Sequence, residues 1–352
     1  MLKNIAIIMG GYSSEYQISL KSGGMVYDTL DRNKYTPYAI HIFKNKWVYV
    51  TENGQETPIN KNDFSVSIDD KKITFDCVFN AIHGSPGEDG FMQGYFELLD
   101  IPQTSCSMYQ AALTFNKRDL LATLKPFGIK TAESFYLNLG DTVDEDAIVE
   151  KVGLPCFVKA NKAGSSFGIS KVYKTEDLKA AIENSFEEDD EIIIEQFLDG
   201  VEVSVGVISY KGETKVLPIT EIVSENDFFD YQAKYEGKSQ EITPARISEY
   251  YKDKVITEAK KIYEILKMSG FTRSEFIFKN AKLDVNEIID NIKKDMDDFR
   301  GEQEFNDDVS ANPLYNEAVY CCSEPLTIPL GIFVKFTFQS APLPLATIVS
   351  NR

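Results

Sequence analysis

Basic residues are scarce in this 352-residue chain: 37 lysines and arginines face 55 aspartates and glutamates, for a net charge of −18. Such an excess of acid disfavours nonspecific binding to nucleic acid or to anionic membranes. Any phosphate site must therefore be built locally, from a few lysines and backbone N–H groups. Cysteine is sparse too. Five spread over the chain make no disulfide framework, and Cys321-Cys322, with no second pair and no nearby histidine, argues against zinc. Long apolar runs are missing. Ile5 to Met9 is too short for a signal peptide and runs straight into Gly10-Gly11, so a buried strand is the better reading. From Ala318 to Asn351 the only charges are Glu324 and Lys335, but Pro325, Pro329, Pro342 and Pro344 break the stretch, so it is no transmembrane helix. The cytoplasm is the expected compartment.

What is present is ordinary globular material, 43% apolar and 26% charged, without an internal repeat. Strand and helix signals alternate over the first hundred residues. Ile5 to Met9 suits a parallel strand buried on both faces. Ser13 or Ser14 is placed to cap a helix reaching Leu30. Tyr38 to Phe43 and Cys77 to Ile82 read as strands, and Phe91 to Leu99 as a helix. This predicts an open α/β domain of Rossmann-like type over residues 1–105.

Residues 106–195 follow with a helix over Ala111 to Leu124 and a strand at Cys156 to Ala160. Next come a glycine-serine loop, a helix opened by Thr175 and a strand at Glu191 to Glu195. Residues 196–280 hold strands at Val203 to Ser209, Val216 to Ile222 and Arg273 to Phe278. They also hold a helix over Lys252 to Met268, after which Gly270 sits where a C′ glycine belongs. Residues 281–352 differ in character: an acidic amphipathic helix pattern to residue 310, then the charge-poor stretch.

The stretch Val158-Lys159-Ala160-Asn161-Lys162-Ala163-Gly164-Ser165-Ser166-Phe167-Gly168 carries the most chemistry. A lysine ends a strand, and a loop of small residues follows that can fold over a polyphosphate with N–H and hydroxyl donors. The same residues also suit an ordinary hairpin loop. Lys117 precedes them. Behind them come Glu195, Phe197 and Leu198, then Glu202: a strand end fit to line a purine pocket, and an acid fit to hold ribose hydroxyls. Core packing for Phe197 and a solvated strand edge for Glu202 account for the same residues.

Taken in order, these segments resemble the D-alanine–D-alanine ligase family. Gly10-Gly11-Tyr12-Ser13-Ser14-Glu15 comes first, then Ala81-Ile82-His83-Gly84 with Gly87-Glu88-Asp89-Gly90. Lys117, Lys159 with its loop, and Glu195 to Glu202 follow. Tyr231 to Tyr235 and Arg273-Ser274-Glu275 complete the series. The resemblance implies an α/β chain in which a Rossmann-like domain precedes an ATP-grasp fold. It implies ATP and D-alanine as substrates, Mg²⁺ or Mn²⁺ as cofactor, a homodimer, and a dipeptide product for peptidoglycan precursors.

Roles come with it. Lys117 and Lys159 would contact the ATP phosphates, Glu195 and Leu198 adenine, and Glu202 the ribose. Ser166, Phe197 and Lys234 would also belong to the ATP site. Glu15 would hold the ammonium of the first D-alanine, with Ser165 and Tyr235 in the same hydrogen-bonded set. A tyrosine at 235 goes with dipeptide rather than D-lactate ester synthesis. Arg273 would stabilise the oxyanion and Glu275 would bind the metal. His83 would sit near the first substrate, although a hydrogen-bonded histidine at a strand end reads equally well.

The resemblance covers residues 1–280 and stops there. A Glu-x-Asn metal strand and a Pro-Gly turn are expected soon after Glu275, and neither follows. Asp284-Val285-Asn286 echoes the pair, but Asn286 also suits the cap of a helix from Glu287. The ATP-grasp fold is therefore expected to be altered at its C-terminal end and weak in metal binding. Leu330 to Phe338 is the one apolar stretch fit to become a strand, and it brings no carboxylate to Glu275. Two other readings stay open: a different ATP-grasp carboxylate–amine ligase, and a catalytically inactive nucleotide-binding relative.

Overall fold

Three β-sheets, each with its own apolar packing, organise the described residues. The computed structural model describes residues 2–164, 167–224, 239–279 and 332–335. The apolar run Ile5 to Met9 lies inside β1 (Lys3–Gly10), buried as expected. Gly10 and Gly11 then turn the chain at φ of 99° and 115°, a region open mainly to glycine, into α1 (Tyr16–Thr29). Neither serine caps this helix. Glu15 holds the N-cap position without a side-chain cap, because Ser13 Oγ donates to the His83 carbonyl and Ser14 Oγ to Glu188.

β2 (Tyr35–Phe43) pairs parallel to β1. The sequence reading left the next thirty residues unassigned. They form an antiparallel meander, β3 (Lys46–Val50), β4 (Glu56–Asn60), β5 (Ser65–Ile68) and β6 (Lys71–Ile73). Its last turn sets Asp69 and Asp70 at φ of 48° and 58°, the two-residue geometry that suits the twist of a hairpin. β7 (Cys77–Asn80) returns parallel to β1, giving the order β6-β5-β4-β3-β2-β1-β7. α2 (Phe91–Leu98) packs Met92 and Phe96 onto this sheet's core with Phe64 and Phe75.

The single helix expected over Ala111 to Leu124 is two, α3 (Met108–Phe115) and α4 (Lys117–Leu124). Asn116 takes an extended conformation and its side chain accepts from the Asp119 N–H, a local bond that competes with helix continuation. The break makes Lys117 the first residue of α4. The second sheet follows from β8 (Ser134–Asn138), α5 (Glu145–Val152), β9 (Cys156–Ala160), β10 (Ser170–Val172), α6 (Leu178–Phe186) and β11 (Glu191–Gln196). Its antiparallel order is β10-β9-β11-β8. Thr175 opens a 3-10 turn that leads into α6.

The third sheet holds β12 (Gly200–Tyr210), β13 (Glu213–Val216), β14 (Thr220–Ser224), β15 (Ser239–Ile242), β16 (Phe271–Lys279) and β17 (Ile332–Lys335), with α7 (Glu249–Ile265) against it. The strand expected over Val216 to Ile222 is split between β13 and β14. Pro218, which has no N–H for the ladder, lies in the gap. Gly270 is not the C′ residue of α7, which closes at Leu266. It turns at φ 66° against the Thr104 carbonyl at the start of β16. β17 falls inside Leu330 to Phe338 and pairs antiparallel with β16, setting Lys335 opposite Glu275 in register. The helix pattern after residue 280 lies outside the described residues.

Tyr251, Val255, Ala259, Ile262 and Tyr263 recur at helical spacing along α7 and bury against Val203, Val205, Phe276 and Phe278. Each of the larger aliphatic side chains, fully buried, contributes about 1.5–3 kcal/mol. The β12–β16 ladder also depends on Gly200, where a Cβ atom would lie 2.0 Å from the Phe278 carbonyl oxygen. We expect Gly200→Ala to push the strands apart and cost about 3 kcal/mol. Denaturant unfolding reads this as a lower midpoint, and an unchanged midpoint would refute it.

Candidate active site

Strand ends from the three sheets bring the charged residues together. Lys159, near the end of β9, faces Ile193 of β11, and Glu195 lies two residues further along that strand. This diagonal neighbour is within reach of a long side chain, and Lys159 Nζ meets Glu195 Oε2 at 2.5 Å. Lys117 comes from the other side. Buried at 8% exposure, its Nζ donates to the carbonyl oxygens of Ala160 at 3.0 Å, Asn161 at 3.1 Å and Ala163 at 2.7 Å. Burial pushes its pKa down to about 8, and the nearby Lys159 charge adds to that, while Glu195, Glu15 and Asp189 oppose it. Two ammonium groups thus sit side by side at the root of the glycine loop, a local cationic spot in an acidic protein.

Asn161, which the sequence reading passed over, holds that root in place. Its Oδ1 accepts from the Arg118 N–H at 2.9 Å, and its Nδ2 donates to Asn116 Oδ1 at 2.9 Å and Glu191 at 2.8 Å. Arg118 Nη2 reaches the same Glu191 at 3.0 Å. A buried asparagine beside Lys159 was the available signal, because a buried amide needs partners on both of its ends.

Glu15 is 2% exposed. Its carboxylate lies between two glycines: a Cβ on Gly84 would be 2.8 Å from Oε2, and one on Gly164 would be 2.8 Å from Oε1. Gly84 follows β7 and Gly164 belongs to the glycine loop, so the turn after β1 is placed directly against that loop. His83 is buried, with Nε2 3.0 Å from Ser22 Oγ. Burial, and then the Arg273 cation, lower its pKa to about 4. Arg273 and Glu275 project from β16, with Arg273 Nη2 3.3 Å from Glu275 Oε1. Glu275 is buried.

The purine-pocket residues divide. Leu198 is buried. Phe197 is only half-buried, edged by Phe157 and covered by Lys171 Nζ at 3.9 Å, so it is not simple core packing. Glu202 lies half-buried on β12, opposite Ile222 of β14 and Ile277 of β16. Ser165, Ser166, Lys234 and Tyr235 lie outside the described residues, as do Asp284 and Asn286.

Known families match most of this arrangement. One described as D-ala D-ala ligase N-terminus matches residues 4–106, and one described as D-ala D-ala ligase C-terminus matches residues 123–291. The D-alanine--D-alanine ligase of Flavobacterium johnsoniae is 71% identical over 276 residues, 78% of this chain and 85% of that protein. The chain belongs to the D-alanine–D-alanine ligase family. Among solved structures, VanG D-Ala:D-Ser ligase from Enterococcus faecalis aligns with a TM-score of 0.66 at 31% identity, over 80% of this chain and 88% of that one. The D-alanine--D-alanine ligase from Bacillus anthracis complexed with ATP aligns with a TM-score of 0.61 at 27% identity, over 79% and 82%. The α/β architecture of this family member is thus the ATP-grasp ligase fold that the resemblance implied.

The burial of His83 also sets how the protein responds to acid. His83 is neutral in the fold down to about pH 4, whereas in the unfolded chain a histidine takes up its proton near pH 6.5. The unfolded state therefore binds the extra proton as pH falls from 6.5 toward 4, and stability is lost across that window. For His83 alone the loss is roughly 3 kcal/mol. Chemical denaturation of the protein and of His83→Gln at pH 7 and pH 4 isolates it. The unsubstituted chain should lose more stability than the variant, and equal losses would overturn the argument.

Proposed function

We propose that the chain joins two D-alanine molecules into D-alanyl-D-alanine at the expense of ATP, as a cytoplasmic enzyme supplying peptidoglycan precursors. The observation that carries this is the burial of the Glu15 carboxylate against the glycine loop, where its charge acts on Lys117. A site for an amino acid's ammonium and a site for polyphosphate thus share one cleft. Residues 1–105 would carry the first substrate, and residues 106–195 and 196–280 would clasp the nucleotide.

The chemistry follows from the residues. A carboxylate is a poor electrophile. An oxygen of the first D-alanine attacks the γ-phosphorus, ADP leaves, and an acyl phosphate forms. The neutral amine of the second D-alanine then attacks the carbonyl carbon and loses a proton, and inorganic phosphate leaves with the electron pair of the broken C–O bond. Lys117 and Lys159 offset the phosphate charge. Glu15 orients the first ammonium, with His83 beside it as a neutral group. Arg273 meets the oxyanion of the tetrahedral intermediate. Glu195, Phe197, Leu198 and Glu202 receive the adenosine.

Among the described residues a divalent cation fits poorly. Among the described residues no group of three or more His, Cys, Asp or Glu is placed to hold a metal. Glu275 is already paired with Arg273, and β17, with the sequence Ile332-Phe333-Val334-Lys335, brings no acid to its side. Octahedral coordination needs several oxygen ligands, and among the described residues Glu275 stands without the further carboxylates that would complete it. This donor set favours a second reading, a relative that binds nucleotide without turning it over.

Phosphate release from ATP and Mg²⁺ separates the readings. We expect weak release that depends on D-alanine and is not supported by D-lactate as second substrate. No D-alanine dependence alongside retained ATP binding would establish the second reading, and dependence on a different amino acid would point to another ATP-grasp ligase. No helix among the described residues is long and apolar enough to cross a membrane.

We also propose a homodimer. Phe91 and Leu98 on α2 are 72% and 89% exposed, and Met108 and Tyr109 on the neighbouring α3 are exposed as well, apolar surface that a second copy would cover. Sedimentation should show a dimer that Leu98→Glu dissociates. A monomeric unsubstituted chain would rule it out.

A further inference from the structure

The turn that carries Glu15 begins with a hinge. Gly10 and Gly11 both occupy positive φ, and glycine visits many conformations at little cost, so the two residues alone do not fix where the chain goes next. Main-chain bonds pin the hinge itself: the Gly11 N–H donates to the Ile42 carbonyl at 2.8 Å and the Tyr12 N–H to the Ser85 carbonyl at 2.7 Å. Beyond them, Tyr12 is the first residue with a side chain to anchor. Its hydroxyl accepts a hydrogen bond from Trp47 Nε1 at 3.0 Å.

Trp47 is well placed to serve as the fixed partner. It lies on β3, in the meander, and is the only tryptophan in the chain. Tyr95 and Phe64 meet its ring edge-on, with centroids at 5.4 Å and 6.5 Å, and Lys61 Nζ lies 4.6 Å over the ring. Phe64 is fully buried at φ 52°, a strained conformation that persists only where the surroundings enforce it. The indole therefore belongs to a rigid aromatic cluster. The hydroxyl it holds is three residues from the carboxylate wedged between Gly84 and Gly164.

We propose that the Trp47–Tyr12 hydrogen bond is a positioning device for the first-substrate site: the β3 meander holds the Gly10–Glu15 turn so that the Glu15 carboxylate is pre-set to receive an amino acid's ammonium. This rests on the role proposed above for Glu15. Neither residue touches the substrate. Each acts through the backbone of the turn, lowering the conformational entropy that binding must otherwise remove.

Calorimetric titration of the full chain with D-alanine, and separately with ATP, tests the device in Tyr12→Phe, Trp47→Phe, the double variant and Glu15→Gln. Tyr12→Phe removes a single oxygen and keeps the ring, so the fold survives it. Each single variant should weaken D-alanine binding roughly fivefold, the loss expected from one neutral hydrogen bond. The double variant should be no weaker than either single one, because both remove the same bond. ATP affinity should not move, whereas general damage to the fold would lower it.

D-alanine affinity unchanged in Tyr12→Phe and Trp47→Phe while Glu15→Gln loses binding would refute the device alone. So would losses that add in the double variant, or that extend equally to ATP. A Glu15→Gln variant that binds D-alanine as the unsubstituted chain does, or an unsubstituted chain that does not bind it, would instead remove the role assigned to Glu15 and the proposal with it.

Discussion

Everything around the candidate active site answers to two lysine ammonium groups held close together out of water. An ammonium taken from water without compensation is prohibitively costly, and two of them repel. The fold meets this with fixed acceptors: three main-chain carbonyls on Lys117 and the Glu195 carboxylate on Lys159. Those carbonyls belong to residues 160–163, at the root of the glycine loop, so satisfying the lysine also shapes the loop. The break between α3 and α4 serves the same end, because a continuous helix through Asn116 would leave neither the Asn116 cap nor the Asn116–Asn161 bond that ties α4 to β9.

The same constraint reaches the N-terminal sheet. Glu15 is buried, and a buried carboxylate is tolerated where positive charge offsets it. Lys117 supplies part of that offset. A side chain at either Gly84 or Gly164 would collide with the carboxylate, so the turn after β1 and the loop after β9 approach closely only because both neighbours are glycine. Ser14, one residue away, adds a link by donating to Glu188 at the end of α6. Arg273 extends the set, since its cation acts on His83 across the gap between β16 and β7.

Much of this was legible in the sequence because it is written in local patterns. β1, β2, β7, β9, β11 and β12 were visible as short apolar runs bounded by glycine or polar residues. Lys117, Lys159, Glu15, His83 and Arg273 were visible as members of an ordered series. What was illegible depends on partners distant in sequence. The meander of β3 to β6 is made of strands of three to five residues, too short to show a period, and they are held by a core that includes Phe64 and Phe75. The Asn116 break lies in a stretch whose apolar spacing is helical throughout, and the bond from Asn161 adds to the local Asn116 cap in taking the chain out of the helix there. Trp47 carries no motif at all, and its partner Tyr12 reads in sequence only as a residue between glycines and serines.

The third sheet shows why completing a fold and completing a site are separate demands. Without β17, β16 would present an unpaired edge along residues 275–278, a row of backbone groups seeking partners. Any strand of adequate apolar character satisfies that edge, because the ladder is made by N–H and C=O groups common to all residues but proline. Ile332 to Lys335 meets that requirement and pairs in regular antiparallel register. Metal coordination is less tolerant, since it depends on which oxygen-bearing side chains stand beside Glu275. At the register position facing Glu275 the chain has a lysine. The backbone of β16 therefore accepts a partner strand on ladder hydrogen bonding alone, whereas a ligand set beside Glu275 would need particular side chains.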